Sequence, residues 1–152
     1  MTSLIQAGDP KRSPAIPDRE NQHQIAALCL RGSGKKRRVL LITSRDTGRW
    51  VLPKGWPIDG LDGPGTAAQE AWEEAGVKPV KVKKRPVGSF QYLKRMSADL
   101  AVIVQTQVYK IRVASLAETF PEAGERIRKW VTPDKAAMMV EEPGLREILR
   151  NL

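Results

Sequence analysis

Glu70, Glu73 and Glu74 are the residues whose type and spacing point first to chemistry. They lie in the stretch GWPIDGLDGPGTAAQEAWEEAGV, from Gly55 to Val77. A helix advances about 100° per residue, so the three carboxylates fall within roughly a 100° arc. Carboxylates sharing a helix face repel by about a few tenths of a kcal/mol per pair. Asp59 and Asp62 add to the charge, and no Lys or Arg lies between Gly55 and Val77 to offset it. An uncompensated acidic pocket in a basic chain invites a hard divalent cation such as magnesium. On spacing alone, a solvated acidic helix face fits the trio as well.

The second half of that stretch reads as a short helix. Asp62 is placed to cap its start, Pro64 suits the first turn, and Gly76 suits the position just past the end. Ala68, Ala71, Trp72 and Ala75 fall on the other side from the acids, as a packing face. Upstream, Gln22 to Arg31 reads as a strand, Gly32 to Arg38 as a basic hairpin turn, and Val39 to Ser44 as a second strand. After a turn from Arg45 to Arg49, the short strand Trp50 to Leu52 brings Lys54 and Gly55 to the mouth of the acidic helix. Downstream, Lys78 to Arg85 and Val87 to Leu93 read as strands, with Lys94, Arg95 and Met96 at a turn. Leu100 to Val113 is the longest strand, and its second half alternates apolar and polar residues. A polar loop, Glu118 to Glu125, precedes a short strand from Ile127 to Val131. Helices are expected over Pro133 to Val140, capped by Thr132, and over Pro143 to Leu152. One central and two terminal helices among strands predict an α/β domain, a mixed sheet covered by helices.

The chain has 152 residues, the size of one domain, and a net charge of +9. A pI near 10.0 implies an anionic partner: nucleic acid, an anionic membrane or a small polyphosphate. Lys35, Lys36, Arg37 and Arg38 could touch nucleic acid or phosphate, although a solvated loop accounts for them too. The lone cysteine, Cys29, allows no internal disulfide and reads as a core residue in a reducing compartment. The lone histidine, His23, reads as a surface residue at a strand edge rather than a ligand. Residues 1–21 are polar, carry Pro10, Pro14 and Pro17, and read as a flexible arm ahead of a single domain at 22–152. No run is long enough to span a membrane and the start lacks a signal-peptide core, so a cytoplasmic protein without a membrane partner is expected.

The stretch from Gly55 to Val77 resembles the Nudix (MutT-like) box. That pattern is Gly, five residues, Glu, seven residues, then Arg-Glu-apolar-any-Glu-Glu-any-Gly-apolar. Gly55, Glu70, Ala71, Glu73, Glu74, Gly76 and Val77 match in register. Leu61 stands where the pattern has its first Glu, and Gln69 where it has Arg. The resemblance implies the Nudix fold over about Gln22 to Leu152, an α/β/α sandwich with a mixed central sheet. It also implies hydrolysis of a diphosphate linkage with Mg²⁺ or Mn²⁺. Metal-ligand and catalytic roles then carry onto Glu70, Glu73 and Glu74. Gly55 would let its backbone carbonyl approach the metal, since no side chain blocks the way. In the family pattern the Arg orients the glutamates by a salt bridge. Gln69 can donate hydrogen bonds in its place but supplies no charge.

The run RWVLPKGWP is similar to the branch that hydrolyses diphosphoinositol polyphosphates and dinucleoside polyphosphates, as are VGSFQYLKR and RKWVTPDKA. Such a substrate is an anionic polyphosphate small molecule. Arg45, Arg49, Lys54, Lys94, Arg95, Arg128 and Lys129 could hold it as charge-assisted donors, or be ordinary surface charges near turns. Tyr92 and Trp56 could stack on a base or pack in the core. The runner-up substrates are ADP-ribose-like nucleoside diphosphates and RNA ends. A Nudix module that binds nucleotide or RNA without catalysis is the other class. Nucleic acid is thus an alternative partner that is not favoured, and the resemblance is compatible with a homodimer.

Overall fold

The computed structural model describes residues 22–152. The flexible arm expected over 1–21 lies outside the described residues. In chain order the elements are β1 (His23–Arg31), β2 (Arg38–Thr43), β3 (Trp50–Val51), β4 (Lys54–Gly55), α1 (Gly63–Ala75), β5 (Val77–Val82), β6 (Gly88–Ser97), β7 (Leu100–Leu116), β8 (Arg128–Val131), α2 (Pro133–Met139) and α3 (Pro143–Arg150). A 3₁₀ turn, Gly34–Lys36, joins β1 to β2.

Among the described residues, eight strands form one mixed sheet with the path β3-β2-β1-β7-β5. β4 pairs with β1, β6 with β7 and β8 with β2. β1 and β7 run parallel, from His23 opposite Gln105 to Leu30 opposite Arg112. The other pairs are antiparallel.

β1 is the centre because it is apolar on both faces. Ile25, Ala27 and Cys29 pack with Ala67, Ala71 and Ala75 of α1. Ala26, Leu28 and Leu30 pack on the other face with Ala136 and Ala137 of α2 and Leu145 and Leu149 of α3. A strand covered twice reads as an unbroken apolar run rather than an alternating one. The result is the α/β/α sandwich, with α1 alone on one face and the α2–α3 pair on the other. Among the described residues, no helix is long and apolar enough to cross a membrane.

One expected turn is corrected. Lys94, Arg95 and Met96 lie within β6, where Lys94 pairs with Val102 and Arg95 with Ala101. The chain reverses at Ala98 and Asp99 instead, without a glycine or proline to mark the place.

Candidate active site

α1 is fixed at both ends by local chemistry. The Asp62 side chain accepts the Gly65 N–H at 2.7 Å. At the other end Gly76 takes φ 68°, and its N–H donates to the carbonyls of Ala71 and Trp72. A Cβ at Gly76 would lie 2.6 Å from Cδ1 of Phe120, so glycine is required on two counts.

The face α1 turns to the sheet corrects the expectation. Ala67, Ala71 and Ala75 are buried, but Glu70 at 1% and Glu74 at 8% exposure lie among them. Ala68, Trp72 and Glu73 are half-buried. Steps of about 100° put positions 67, 70, 71 and 74 on one side. Two of the three acids therefore sit on the packing face rather than opposite it.

β4 makes this burial tolerable. An added Cβ at Gly55 would lie 2.5 Å from Cδ of Glu70 and 2.6 and 2.7 Å from its oxygens. Only glycine leaves the backbone of β4 open to that carboxyl. The Glu70 and Glu74 side chains are hydrogen-bonded to each other. The Lys54 backbone N–H donates to Oε1 of Glu74 at 3.3 Å. Burial pushes the Glu74 carboxyl up to about 8; the Arg126 guanidinium opposes this and the Glu70 charge adds to it. Glu73 takes a 2.6 Å hydrogen bond from Nε2 of Gln69.

The acidic trio is not left uncompensated, as its own stretch suggests. Arg126 reaches it from the loop before β8, with Nη2 3.8 Å from Oε2 of Glu74. Its side chain is held by Oε1 of Glu122 at 3.0 Å and the Thr43 carbonyl at 3.1 Å. The Glu122 N–H donates in turn to the Glu73 carbonyl at 3.0 Å. This loop is thus fastened to α1 by backbone as well as by charge.

These groups line one side of a cavity of about 940 Å³. Arg45, Arg49, Lys54, Lys94 and Arg95 line it as well, with Trp56 and Tyr92. Lys54 extends over the Tyr92 ring, its Nζ 5.0 Å from the centroid. Burial lowers its ammonium below the ordinary lysine value, against the pull of the Glu74 charge. The Tyr92 hydroxyl donates to Oε1 of Gln24. Arg49 is anchored at 2.8 Å to Oε2 of Glu142, and Arg45 at 3.1 Å to Oε1 of Glu125.

The NUDIX domain model matches residues 22–152. The chain belongs to the Nudix family. Among Nudix relatives it is 30% identical over 121 residues to Nudix hydrolase 16, mitochondrial, of Arabidopsis thaliana, covering 77% of this chain and 66% of that one. It is 28% identical over 127 residues to diphosphoinositol polyphosphate phosphohydrolase 2 of Rattus norvegicus, covering 82% and 66%. The chain thus spans just under two thirds of the length of these relatives. A C. elegans Ap4A hydrolase structure, a binary complex, shares the fold with a TM-score of 0.61 at 19% identity, covering 84% of this chain and 92% of that one.

Set against the Nudix box, the residues divide clearly. The structure gathers Glu70, Glu74 and Gly55, and puts Glu73 on the rim of the same cavity. It brings Arg45, Arg49, Lys54, Lys94 and Arg95 to that cavity. Arg128 and Lys129 do not line it. The Arg128 guanidinium donates to the carbonyls of Ala75 and Ala117 and stacks over Phe120, 4.9 Å from the centroid. It serves the C-terminal end of α1, where a cation meets the exposed carbonyls of the helix.

Among the described residues, no three His, Cys, Asp or Glu side chains are already drawn together as a metal cluster. The donors nevertheless suit a hard divalent cation. They are carboxylate oxygens beside a glycine backbone, with two carboxyls in contact at a place where burial disfavours bare charge. Sequence reasoning missed Arg126 and Glu122, which lie far along the chain from the box. Their only signal is an acidic and a basic residue four apart in the loop before β8.

Proposed function

We propose that this Nudix chain is a metal-dependent pyrophosphohydrolase of polyphosphorylated small molecules. Its substrate in this reading is a diphosphoinositol polyphosphate or a dinucleoside polyphosphate. One observation carries the reading: a single cavity is lined both by a buried carboxylate pair and by the cations Arg45, Lys54, Lys94 and Arg95. Such a cavity accepts a metal and an anionic substrate side by side. Glu70, Glu73 and Glu74 would hold Mg²⁺ or Mn²⁺, with the Gly55 carbonyl within reach. When bound, the metal supplies charge to the phosphate oxygens and lowers the pKa of the attacking water. The water oxygen bonds to phosphorus, its proton passes to a carboxylate, and the bridging oxygen leaves with the electron pair of the broken P–O bond. Arg45, Lys54, Lys94 and Arg95 orient the remaining phosphates as charge-assisted donors. Arg49 stiffens the rim through its bond to Glu142.

The test is phosphate release with Mg²⁺, over diphosphoinositol polyphosphates, diadenosine polyphosphates, ADP-ribose and nucleoside triphosphates. Turnover on one class is expected, falling by about a hundredfold or more in Glu70→Gln and Glu74→Gln. Absence of turnover on every class, with nucleotide binding retained, would overturn the reading in favour of a binding module.

A further inference from the structure

The hairpin turn and β5, separate in sequence, meet at the end of β1 away from the cavity. Gly55 pairs with Ile25 near the start of β1, whereas Arg112 pairs with Leu30 near its end. Five strand residues, about 17 Å, separate the two places. Arg112 donates from Nη1 to the Gly32 carbonyl at 3.0 Å, which docks the turn against β7. Arg38 closes the turn on itself through the Lys35 and Arg37 carbonyls.

Strand register decides which side chains share a face. Val82 pairs with Ile111 and both lie on the α1 side. Lys81, opposite Arg112, and Lys110, two residues before it, therefore share the other face. Lys83 joins them, its N–H donating to the Lys110 carbonyl at 3.0 Å. The α2–α3 layer buries Val108 of β7, but Lys110 is only half-buried and Arg112 is exposed. Lys35 and Lys36 flank this strip on the exposed turn.

This arrangement costs folding energy. Like charges directly opposite across a sheet are destabilising. None of these cations has a carboxylate partner among the described residues. The segments 22–45, 76–98 and 100–117 contain no Asp or Glu at all. Part of the +9 charge of the chain is thus carried by an ordered strip without acidic neighbours in its own segments.

We infer that this surface, formed by the turn at Lys35–Lys36 and the strip Lys81, Lys83, Lys110 and Arg112, binds the phosphate backbone of a nucleic-acid duplex. A duplex offers one charge per about 1.7 Å of axis, so cations from the turn and from two adjacent strands can neutralise several phosphates at once. The strip itself holds no aromatic ring for a base to stack on; Trp130 packs with the core on the α1 face, beneath Arg31, whose Cζ is 4.4 Å from its centroid. A bilayer would need apolar residues to bury, and the positions that form this surface, Lys35, Lys36, Lys81, Lys83, Lys110 and Arg112, offer none. The inference does not depend on what the cavity hydrolyses.

The experiment uses the full chain and a fluorescein-labelled RNA duplex, followed by anisotropy from about 50 to 200 mM KCl. Phosphatidylserine vesicles are run in parallel by sedimentation. The expected result is duplex binding whose log K falls against log salt with a slope of about −4. The double variant Lys36→Glu with Lys81→Glu is expected to weaken it about tenfold or more and flatten the slope by about 2. Glu at 81 would face Arg112 as an opposite charge, so the sheet is not put at risk. Circular dichroism and magnesium-dependent turnover should match the parent. Three results would each overturn the inference: no duplex binding at the lowest salt, equal binding by the variant, or uptake by vesicles in preference to RNA.

Discussion

Gly55 is the residue on which the carboxylate pair depends. A methyl group there would meet the Glu70 carboxyl at 2.5 Å, so that carboxyl, itself 1% exposed, would have to shift. Gly55→Ala is expected to cost about 1–3 kcal/mol of stability in urea unfolding and to weaken magnesium activation. Unchanged activation would show that the Glu70 carboxyl can move without harm. Glu74 makes a second expectation through pH. Its carboxyl holds its proton more tightly in the folded chain, at about 8, than at the ordinary 4.5. The stability this gives is fully present below 4.5 and is lost as pH rises through about 8. The metal-free chain should therefore melt at a lower temperature at pH about 8.5 than at about 6, and Glu74→Gln should reduce that difference. Added Mg²⁺ should stabilise more at the higher pH, because a metal needs the ionised carboxylate. Equal pH dependence in parent and variant would remove Glu74 from this account.

At the scale of elements, the loop before β8 matters as much as the helix it touches. Arg126, with a side chain 9% exposed, is shared by Glu74, Glu122 and the Thr43 carbonyl. Removing it takes the guanidinium from the buried Glu74 carboxyl and leaves Glu122 only Arg45, 4.0 Å away. Arg126→Gln is expected to cost about 3 kcal/mol and to lower turnover by about 10- to 100-fold. A variant as stable and as active as the parent would reduce this contact to a surface ion pair. The caps of α1, the hairpin turn and the terminal helices were legible in sequence because each depends on neighbours a few residues away. Asp62, Gly76 and Thr132 act where they stand. Arg126 was not legible, because its partner is distant in sequence and only the sheet brings them together. The burial of Glu70 and Glu74 was hidden for another reason: charge suggests solvent, whereas helical phase puts them beside Ala67 and Ala71. The turn at Ala98 and Asp99 has no glycine or proline, so in sequence the basic residues before it look like the reversal.

For the whole molecule, charge is sorted by place. Cations line the cavity together with the carboxylates, and a separate strip of cations lies at the far end of β1. A polyphosphate substrate should therefore feel a long-range field. Its KM is expected to rise with KCl while kcat changes less, since salt screens the approach more than the buried chemistry. A salt-independent KM would show that contact at the cavity alone governs capture. The sandwich itself could be anticipated from the order of strands and helices. The parallel pairing of β1 with β7 could not, since nothing local to either strand specifies it.

That parallel pairing also sets an order in time. β1 leaves the ribosome ahead of β7 and can pair with β2 through the basic turn as soon as that follows. Its other edge must wait for residues 105–112, after α1, β5 and β6 have been made. Until then an apolar strand stands with one edge open, which is the condition under which chains adhere to one another. Non-local parallel pairing is slow to close, so this is the step at which a nascent copy is most exposed to aggregation.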